Sequence, residues 1–335
     1  MAAPPHVAGL FIYPVKSCRG IALQRAHITE YGFAFDRWWM VVNDKGRMLT
    51  QRQAPKLALV ETALPPEAIE EGAWKPLPPD AALSLKAPGM GPLQISLATL
   101  NSGGGFLSRV FGTSTLPRLV EASVWEWAGQ ALDEGDDAAA WFSDYLDRPC
   151  RLVRFAPDVN KRDVDPTYAS GYTTQFTDGF PYLVASEPSL AALNASLEQP
   201  LPMNRFRPNI VVDGCQPFDE DTWATVSVRS PGGGTGVTFR GVKPCSRCKV
   251  TTTDQATAEV GKEPLVTLGK IRHGKQLELP RPLQGGVYFG MNMVADALTS
   301  GQSSATVGVG DVAEVVTQLP VGVHMAQIHS AAAAS

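Results

Sequence analysis

The stretch GVTFRGVKPCSRCKVTTT, residues 236–253, carries the strongest fold signal in the chain. Its first half is typical of a strand, because β-branched and aromatic residues recur between glycines. Two cysteines with two residues between them follow, and KVTTT after them again has the composition of a strand. Similar short segments with glycines between them surround this stretch, at 209–214, 225–230, 287–294 and 313–319. This spacing predicts a β-barrel for the C-terminal half.

The N-terminal part is equally rich in strand-like segments, at 7–15, 21–29 and 37–43. Residues 44–46, Asp-Lys-Gly, predict a hairpin turn between apolar flanks. The prolines of 63–117 predict loops around one or two strands. The first helix is expected over 133–146, capped by Asp136 or Asp137. The segments 150–155 and 180–185 predict two strands, and the second enters a helix that Ser186 caps and that ends before Pro200.

These segments together predict a strand-rich α+β protein. We expect an N-terminal β-barrel-like domain over residues 5–125 and a helical linker over 126–150. A second β-barrel domain with a few flanking helices is expected over 151–320, followed by a flexible tail over 321–335.

Composition excludes several classes of protein. The chain has 335 residues, 44% of them hydrophobic, which is enough for a sizeable core. Its formal charge of -4 and scattered basic residues argue against nucleic-acid binding. Five cysteines, an odd number spread thinly, indicate a reducing compartment rather than a disulfide scaffold. There is no apolar run of membrane-spanning length and no secretory signal, so we expect a soluble, cytoplasmic protein.

The motif Cys245-Ser-Arg-Cys248 has three possible functions: half a zinc site, a dithiol redox pair, or one functional thiolate. Zinc is disfavoured because the chain has no second C-x-x-C and its five histidines form no ligand pair. A thioredoxin-like pair is disfavoured because a strand-like sequence, not a helix, follows. The remaining hypothesis is a thiolate at a strand end, ionised beside Arg247, that would suit a soft transition metal.

Two polar clusters predict an anion or cofactor site. Lys16 and Ser17 lie on the turn after the first strand, where they and Arg37 could hold a phosphate. The alternative is a surface lysine beside a turn serine. Arg207 and Asn209 flank a proline, so they could project from a rigid corner toward a heteroaromatic ring with amide edges. The alternative there is a loop arginine paired with a carboxylate.

The ordered set of segments resembles MOSC-domain proteins with an N-terminal β-barrel extension, specifically the amidoxime-reducing component branch. The resemblance extends from about residue 7 to 319. The matching segments are YPVKSCRG (13–20), the LTQRQ region (36–60), GDDAAAWFSDYLDRPCRLVR (135–154), FPYLVASEPSLAALN (180–194), FRPNIVVDG (206–214), PCSRCKVTTTD (244–254) and GKEPLVTL (261–268).

The resemblance implies a molybdenum cofactor of the sulfite-oxidase-like type, in which a molybdopterin dithiolene and one protein cysteine bind the metal. By motif that cysteine is Cys248, which would be both metal ligand and catalytic residue. The other positions that the resemblance implies for the cofactor are Lys16, Ser17 and Arg37 at the phosphate end, Arg207 and Asn209 at the ring or tail, Ser246 and Arg247 lining the cofactor, and the turn of Asp178, Gly179 and Phe180.

Three further matched residues have different expected roles. Asp254 could relay a proton as a second catalytic residue, although a lone acid in a turn is more often structural. Cys18 and Cys245 are given no metal role, because one protein thiolate suffices beside a dithiolene. We expect both to be small buried residues.

The resemblance implies a reductase of small N-hydroxylated compounds: amidoximes, hydroxylamines and N-oxides, and also nitrite to nitric oxide. Electrons must come from outside, because the sequence lacks G-x-G-x-x-G, C-x-x-C-H and iron–sulfur cysteine motifs. The implied donors are cytochrome b5 and NADH-cytochrome b5 reductase, with nitrate reductase or another donor protein as alternatives. Animal members of the family carry a membrane anchor, so mitochondrial outer-membrane association is the alternative to a cytoplasmic location.

Two other functions use the same site. A non-catalytic carrier would hold and hand over the molybdenum cofactor without an electron donor. A cofactor sulfurase resembles this chain in its C-terminal part, but it also has a large pyridoxal-phosphate domain in front, whereas the matched region here begins almost at Met1. The carrier is therefore the stronger alternative.

Overall fold

The structure, a computed structural model, describes residues 4–70, 77–97, 118–233, 236–296, 305–320, 323 and 325. Its α-helices are α1 (Pro66–Glu70), α2 (Asp136–Leu146), α3 (Glu187–Asn194) and α4 (Leu265–Ile271). Its strands are β1 (His6–Ile12), β2 (Ile21–Leu23), β3 (Arg25–Thr29), β4 (Gly32–Phe33), β5 (Trp39–Asn43), β6 (Glu61–Ala63), β7 (Ala82–Lys86), β8 (Leu93–Ser96), β9 (Leu119–Val124), β10 (Trp127–Asp133), β11 (Cys150–Phe155), β12 (Tyr182–Ser186), β13 (Ile210–Asp213), β14 (Trp223–Arg229), β15 (Val237–Ser246), β16 (Tyr288–Ala295), β17 (Ala305–Gly308) and β18 (Val312–Gln318).

A closed barrel of seven strands forms the centre of the fold, as the sequence predicts. Its strands follow the order β13-β12-β16-β15-β14-β18-β1, and β1 returns to pair with β13. The closing pairs include His6 with Asp213 and Leu10 with Ile210. Alternating apolar side chains fill the interior; Tyr182 packs edge-on against the Phe239 ring at 5.2 Å. The first strand of the chain therefore completes a barrel that is otherwise built from its C-terminal half.

The smaller sheets also join the two halves of the chain. One four-stranded sheet has the order β5-β11-β10-β9, so the N-terminal strand β5 pairs with β11 beyond residue 149. Two three-stranded sheets, β17-β3-β4 and β6-β7-β8, complete the strands. Within the expected helical linker at 126–150, residues 127–133 form strand β10 and only α2 is helical. The division into two domains stays a prediction, but sheets cross its expected boundaries.

The expected helices form, with one difference in capping. Ser186 caps α3, because its Oγ accepts a hydrogen bond from the Ser189 backbone N–H at 3.1 Å. At α2 the cap is Gly135, which has a φ of 95° and offers no side-chain acceptor. Asp136 and Asp137 instead lie in the first turn of α2, where their charge is favourable to the helix dipole.

The segment Lys249–Thr252 is a 3₁₀ turn and not the strand predicted from its composition. The Thr251 backbone N–H and its hydroxyl both donate to the Cys248 carbonyl oxygen, at 3.0 and 2.9 Å. The Thr252 hydroxyl donates to the Lys249 carbonyl oxygen at 2.9 Å. Threonine hydroxyls that bond to nearby backbone groups compete with a strand ladder, which explains the wrong prediction.

Some predictions fall outside the described residues. These are part of the proline-rich stretch, at 71–76 and 98–117, and most of the tail at 321–335. The hairpin turn at 44–46 forms, with the Asn43 N–H donating to the Arg47 carbonyl at 2.9 Å. Its second arm forms isolated bridges and not a strand: Met48 bridges to Val42, and Arg47 bridges to Ser123 of β9. In the described part of the chain, no helix has the length and apolar character needed to cross a membrane.

Two glycine substitutions, one in the barrel wall and one in α4, should have opposite effects on stability. A Cβ on Gly241, in β15, would overlap the Trp223 carbonyl oxygen of β14, whereas a Cβ on Gly269, inside α4, would meet no atom within 4 Å. We expect Gly241→Ala to lower the free energy of unfolding by about 2 kcal/mol, since packed strands must separate. Gly269→Ala should raise it by roughly 0.5–1 kcal/mol through helix propensity. Urea unfolding measures both; a neutral Gly241→Ala would contradict this strand packing.

Candidate functional site

One cleft gathers every residue that the sequence assigns to a cofactor. It lies at the end of β15 and beside the turn after β1, and its empty volume is about 830 Å³. The eleven predicted residues that line it are Lys16, Ser17, Arg37, Asp178, Gly179, Phe180, Arg207, Asn209, Ser246, Arg247 and Cys248. These residues come from five separate segments, so only the folded chain forms the cleft.

Three of the eleven predicted residues in the cleft have left-handed backbone conformations. Ser17, Arg37 and Arg207 have φ values of 71°, 52° and 56°. This region is unfavourable for residues with a Cβ and is maintained only where surrounding contacts enforce it. At Arg37 the backbone N–H donates to the Tyr13 carbonyl at 2.8 Å and its carbonyl accepts from Phe176 N at 3.3 Å. The strained backbone directs these side chains into the cleft.

Two arginines pack against one tyrosine beneath the cleft. The guanidinium carbons of Arg37 and Arg207 lie 4.3 and 4.2 Å from the centroid of the Tyr13 ring. Tyr13 is buried, and its hydroxyl donates to the Pro208 carbonyl at 3.1 Å. Burial raises the pKa of Tyr13 to about 12, although both arginines oppose the shift. The ring thus stays neutral and presents its π faces to the cations.

Hydrogen bonds hold the two guanidinium groups in place. Arg37 donates to Asp36 Oδ2 at 2.6 Å and to Asn209 Oδ1 at 3.0 Å. The Asn209 amide also donates to the Phe11 carbonyl at 3.2 Å. Arg207 donates to the Cys18 carbonyl at 2.7 Å. Asn209 therefore positions Arg37, and the pKa of Arg207, lowered by burial to about 10, leaves this side chain charged at neutral pH.

Lys16 and Asp178 form an ion pair across the cleft. Lys16 Nζ lies 2.6 Å from Asp178 Oδ1 and donates to the Phe176 carbonyl at 2.8 Å. Burial lowers the pKa of the Lys16 ammonium, and Asp178 counters this effect. The Asp178 side chain lies at the cleft opening, and 70% of its surface is exposed. Protein atoms nevertheless surround the carboxylate on its other sides. Desolvation opposes its ionisation, but Lys16 and the Trp125 indole N–H outweigh it, so its pKa lies below the ordinary value.

Arg247 of the C-x-x-C motif contacts Cys245 and not Cys248, the cysteine expected from the sequence. The Arg247 guanidinium lies 2.9 Å from Cys245 Sγ and donates to the Phe206 carbonyl at 2.7 Å. The sequence hypothesis placed this charge beside Cys248. The contact follows from β15, which continues through Ser246 and brings residues 245 and 247 to the same side of the strand end. Cys245 is therefore part of the cleft wall, whereas Cys18 is fully buried as expected.

The two parts of the chain correspond to known domain families. The MOSC N-terminal beta barrel domain matches residues 5–149, and the MOSC domain matches residues 171–314. Mitochondrial amidoxime reducing component 2 of Bos taurus is 33% identical over 86% of this chain and 79% of its own length. The chain belongs to the amidoxime-reducing component family.

Other members of this family match to a similar extent. Component 2 of Rattus norvegicus is 34% identical over 86% of this chain and 79% of its own length. Component 1 of Homo sapiens is 31% identical over 91% of this chain and 81% of its own. A solved structure from Bordetella bronchiseptica is 30% identical over 36% of this chain and 73% of its own, with a TM-score of 0.26.

The sequence did not indicate ten further residues that line the cleft. They are Thr50, Arg52, Trp125, Thr177, Leu183, Phe206, Cys245, Val250, Thr251 and Asn292. The LTQRQ segment could have indicated Arg52, since it is one of the family segments. Gln51, in the same segment, pairs with Gln255 through two amide hydrogen bonds of 3.0 and 2.9 Å. No local pattern could indicate Trp125, which reaches the cleft from a turn far along the chain.

Asp254 is not among the residues that line the cleft. Its Oδ1 accepts from the backbone N–H groups of Ala256 and Thr257 at 2.8 and 3.0 Å, and its Oδ2 pairs with Arg205 at 2.7 Å. The backbone N–H of Ala256, then Thr257 and Arg205, lower the pKa of this carboxyl. The geometry is that of a structural turn residue, and it gives no support to the predicted proton relay.

We expect Asp254→Asn to lower the free energy of unfolding by about 1 kcal/mol at pH 7, a value discounted because the side chain is 33% exposed. The folded carboxyl has a depressed pKa, so its contribution is present above the ordinary value near pH 4 and is lost as the pH falls through the folded value. Urea unfolding at pH 7 and below pH 4 measures the difference. Asp163→Asn, in an exposed ion pair, is the control. A proton relay would instead change the pH dependence of activity.

Proposed function

We propose that this chain binds the molybdenum cofactor that its family membership implies, with the Cys248 thiolate as the protein ligand of the metal, and reduces N-hydroxylated compounds. The observation that supports this most is the convergence of all eleven residues, assigned from separate sequence segments, on one cleft. The cofactor is expected to be of the cysteine-ligated, sulfite-oxidase-like type.

The cleft suits an anionic heterocycle with a phosphate tail. It is lined by five basic side chains and one carboxylate, which favours a negatively charged occupant: Lys16, Arg37, Arg52, Arg207 and Arg247 against Asp178. The Arg247 Nε is buried and has no hydrogen-bond partner, so it offers a free donor in the wall. A Cβ on Gly179 would meet no atom within 4 Å, so open space faces that backbone. These three observations fit the cofactor.

Each part of the cleft has a distinct task in this proposal. Lys16, Ser17 and Arg37 would hold the phosphate end, because charged donors there are fixed by buried contacts. Arg207 would bind the ring or tail, and Tyr13 keeps its guanidinium in place. The carbonyl of Cys248 accepts two hydrogen bonds from Thr251, which fixes the backbone that presents the thiol.

The cofactor would supply two-electron chemistry at the substrate's N–O bond. In the overall reaction the N–O bond breaks, two electrons and two protons are consumed, and the oxygen leaves as water. The protein would orient the substrate, because Leu183, Ser246 and Asn292 of the closed barrel form one wall of the cleft. We propose amidoximes, hydroxylamines and N-oxides as substrates of this two-electron reaction. Nitrite is proposed as a further substrate, whose reduction to nitric oxide consumes one electron and two protons and releases water.

Cys248→Ala should lose both metal and activity, while Cys245→Ala should keep the metal. We expect about one molybdenum per wild-type chain and reduction of benzamidoxime, because one thiolate completes the ligand set beside a dithiolene. The measurement is molybdenum and zinc per chain by elemental analysis, with turnover measured on the same samples. Cys245→Ala serves as the matched control, since both cysteines line the cleft.

Other outcomes would contradict the reductase in different ways. Molybdenum without turnover would favour a cofactor carrier. Zinc without molybdenum, in a host that supplies molybdenum, would mean that the C-x-x-C motif binds zinc. Metal loss in Cys245→Ala but not in Cys248→Ala would reverse the ligand assignment.

The proposed electron donors are cytochrome b5 and its NADH-dependent reductase, with nitrate reductase as an alternative source. We expect the protein with NADH alone to give no turnover, because its sequence has no nicotinamide, flavin, haem or iron–sulfur motif. Adding both proteins should start NADH oxidation, and rising salt should slow it if charge steers the encounter. Turnover at the full rate without the cytochrome would refute this part of the proposal.

A further inference from the structure

Trp125 occupies a strained turn at the mouth of the cleft. It is the first residue of the two-residue connection between β9 and β10, in which Val124 pairs with Trp127. Its φ is 53°, a left-handed conformation that such turns normally assign to Asn, Asp or Gly. A bulky residue there is an outlier, and backbone strain of this kind is concentrated at functional sites. The local turn therefore gives no reason for a tryptophan.

The contacts of Trp125 are directed toward the cleft. The Arg52 guanidinium stacks on the indole with its carbon 4.3 Å from the ring. The indole N–H donates to Asp178 Oδ1 at 3.2 Å, the oxygen that also accepts from Lys16. One face and one edge of the ring are thus held, yet the residue remains 40% exposed. An aromatic surface is fixed in place and is still accessible.

The position of the ring also separates two cavities. Trp125 lines the cleft and, on its other side, a neighbouring groove with Met48, Gln53 and Glu126 and an empty volume of about 910 Å³. A side chain that lines both cavities can contact a ligand that fills the cleft and reaches its edge. Because the indole is already immobilised, stacking against it would cost little additional ordering.

We propose that Trp125 is a specificity-determining residue that stacks against flat aromatic groups of the substrate, so that aromatic amidoximes are preferred over aliphatic ones. This inference rests on the proposed reductase function. Stacking on an aromatic ring contributes on the order of a threefold to tenfold preference. The aliphatic compound has no π face to offer and would gain only its smaller apolar contact.

The test compares benzamidoxime with acetamidoxime on the molybdenum-loaded protein. Dissociation constants are measured without an electron donor by saturation-transfer NMR, and the ratio of kcat/KM values is measured with the donor. The variants are Trp125→Asn, which suits the left-handed backbone, and Trp125→Phe, which keeps an aromatic face. Glu126→Gln is the control in the same turn, because Glu126 lines the groove and not the cleft.

We expect Trp125→Asn to reduce the aromatic preference by about threefold to tenfold in both ratios, mainly through KM, with Trp125→Phe retaining most of it. Glu126→Gln should match the wild type.

An unchanged ratio in Trp125→Asn, or a wild type without aromatic preference, would overturn the proposal. Loss of molybdenum in Trp125→Asn would also overturn it, since the ring would then hold the cofactor. Without turnover in the wild type, the reductase fails but the binding ratio still decides the role of Trp125.

Discussion

The packing of Arg37 and Arg207 against one buried tyrosine is the contact on which the rest of the site depends. Both guanidinium groups lie within 4.3 Å of the Tyr13 ring, so two like charges share one buried space. Asp36 provides the adjacent carboxylate, and Asn209 bridges from the opposite strand. Such an arrangement is tolerable only where hydrogen bonds and π faces replace the lost hydration.

Barrel closure brings these groups together. Tyr13 directly follows β1, while Arg207 and Asn209 directly precede β13, and these two strands pair through Leu10 and Ile210. A one-residue slip in that pairing would turn every side chain of β1 to the opposite face of the sheet. The hydrophobic alternation that closes the barrel therefore also sets the register of the site. Stability and site geometry come from the same strand pair.

Local patterns were sufficient for much of the fold. The strand-like composition of β14, β15 and β16 and the serine cap of α3 are properties of neighbouring residues, so they could be predicted. The cleft residues could be named because the family segments mark them, although their roles stay predictions. The strand predicted for the segment KVTTT was wrong, because hydrogen bonds from its threonine side chains to the backbone outweighed its strand-like composition. The partner of Arg247 and the reach of Trp125 depend on packing between distant segments, which no local pattern contains.

The cleft has an excess of positive charge that Asp178, its one lining carboxylate, does not balance, and four of its residues have strained backbones. Strain of this kind costs about 1–3 kcal/mol at each position. The barrel offsets this cost, since its apolar interior is continuous around the closed ring. An anion that binds these side chains would reduce their mutual repulsion. Because the unfolded chain does not bring the five segments together, such a ligand would stabilise the folded state by mass action, and the protein would be more stable when loaded than when empty.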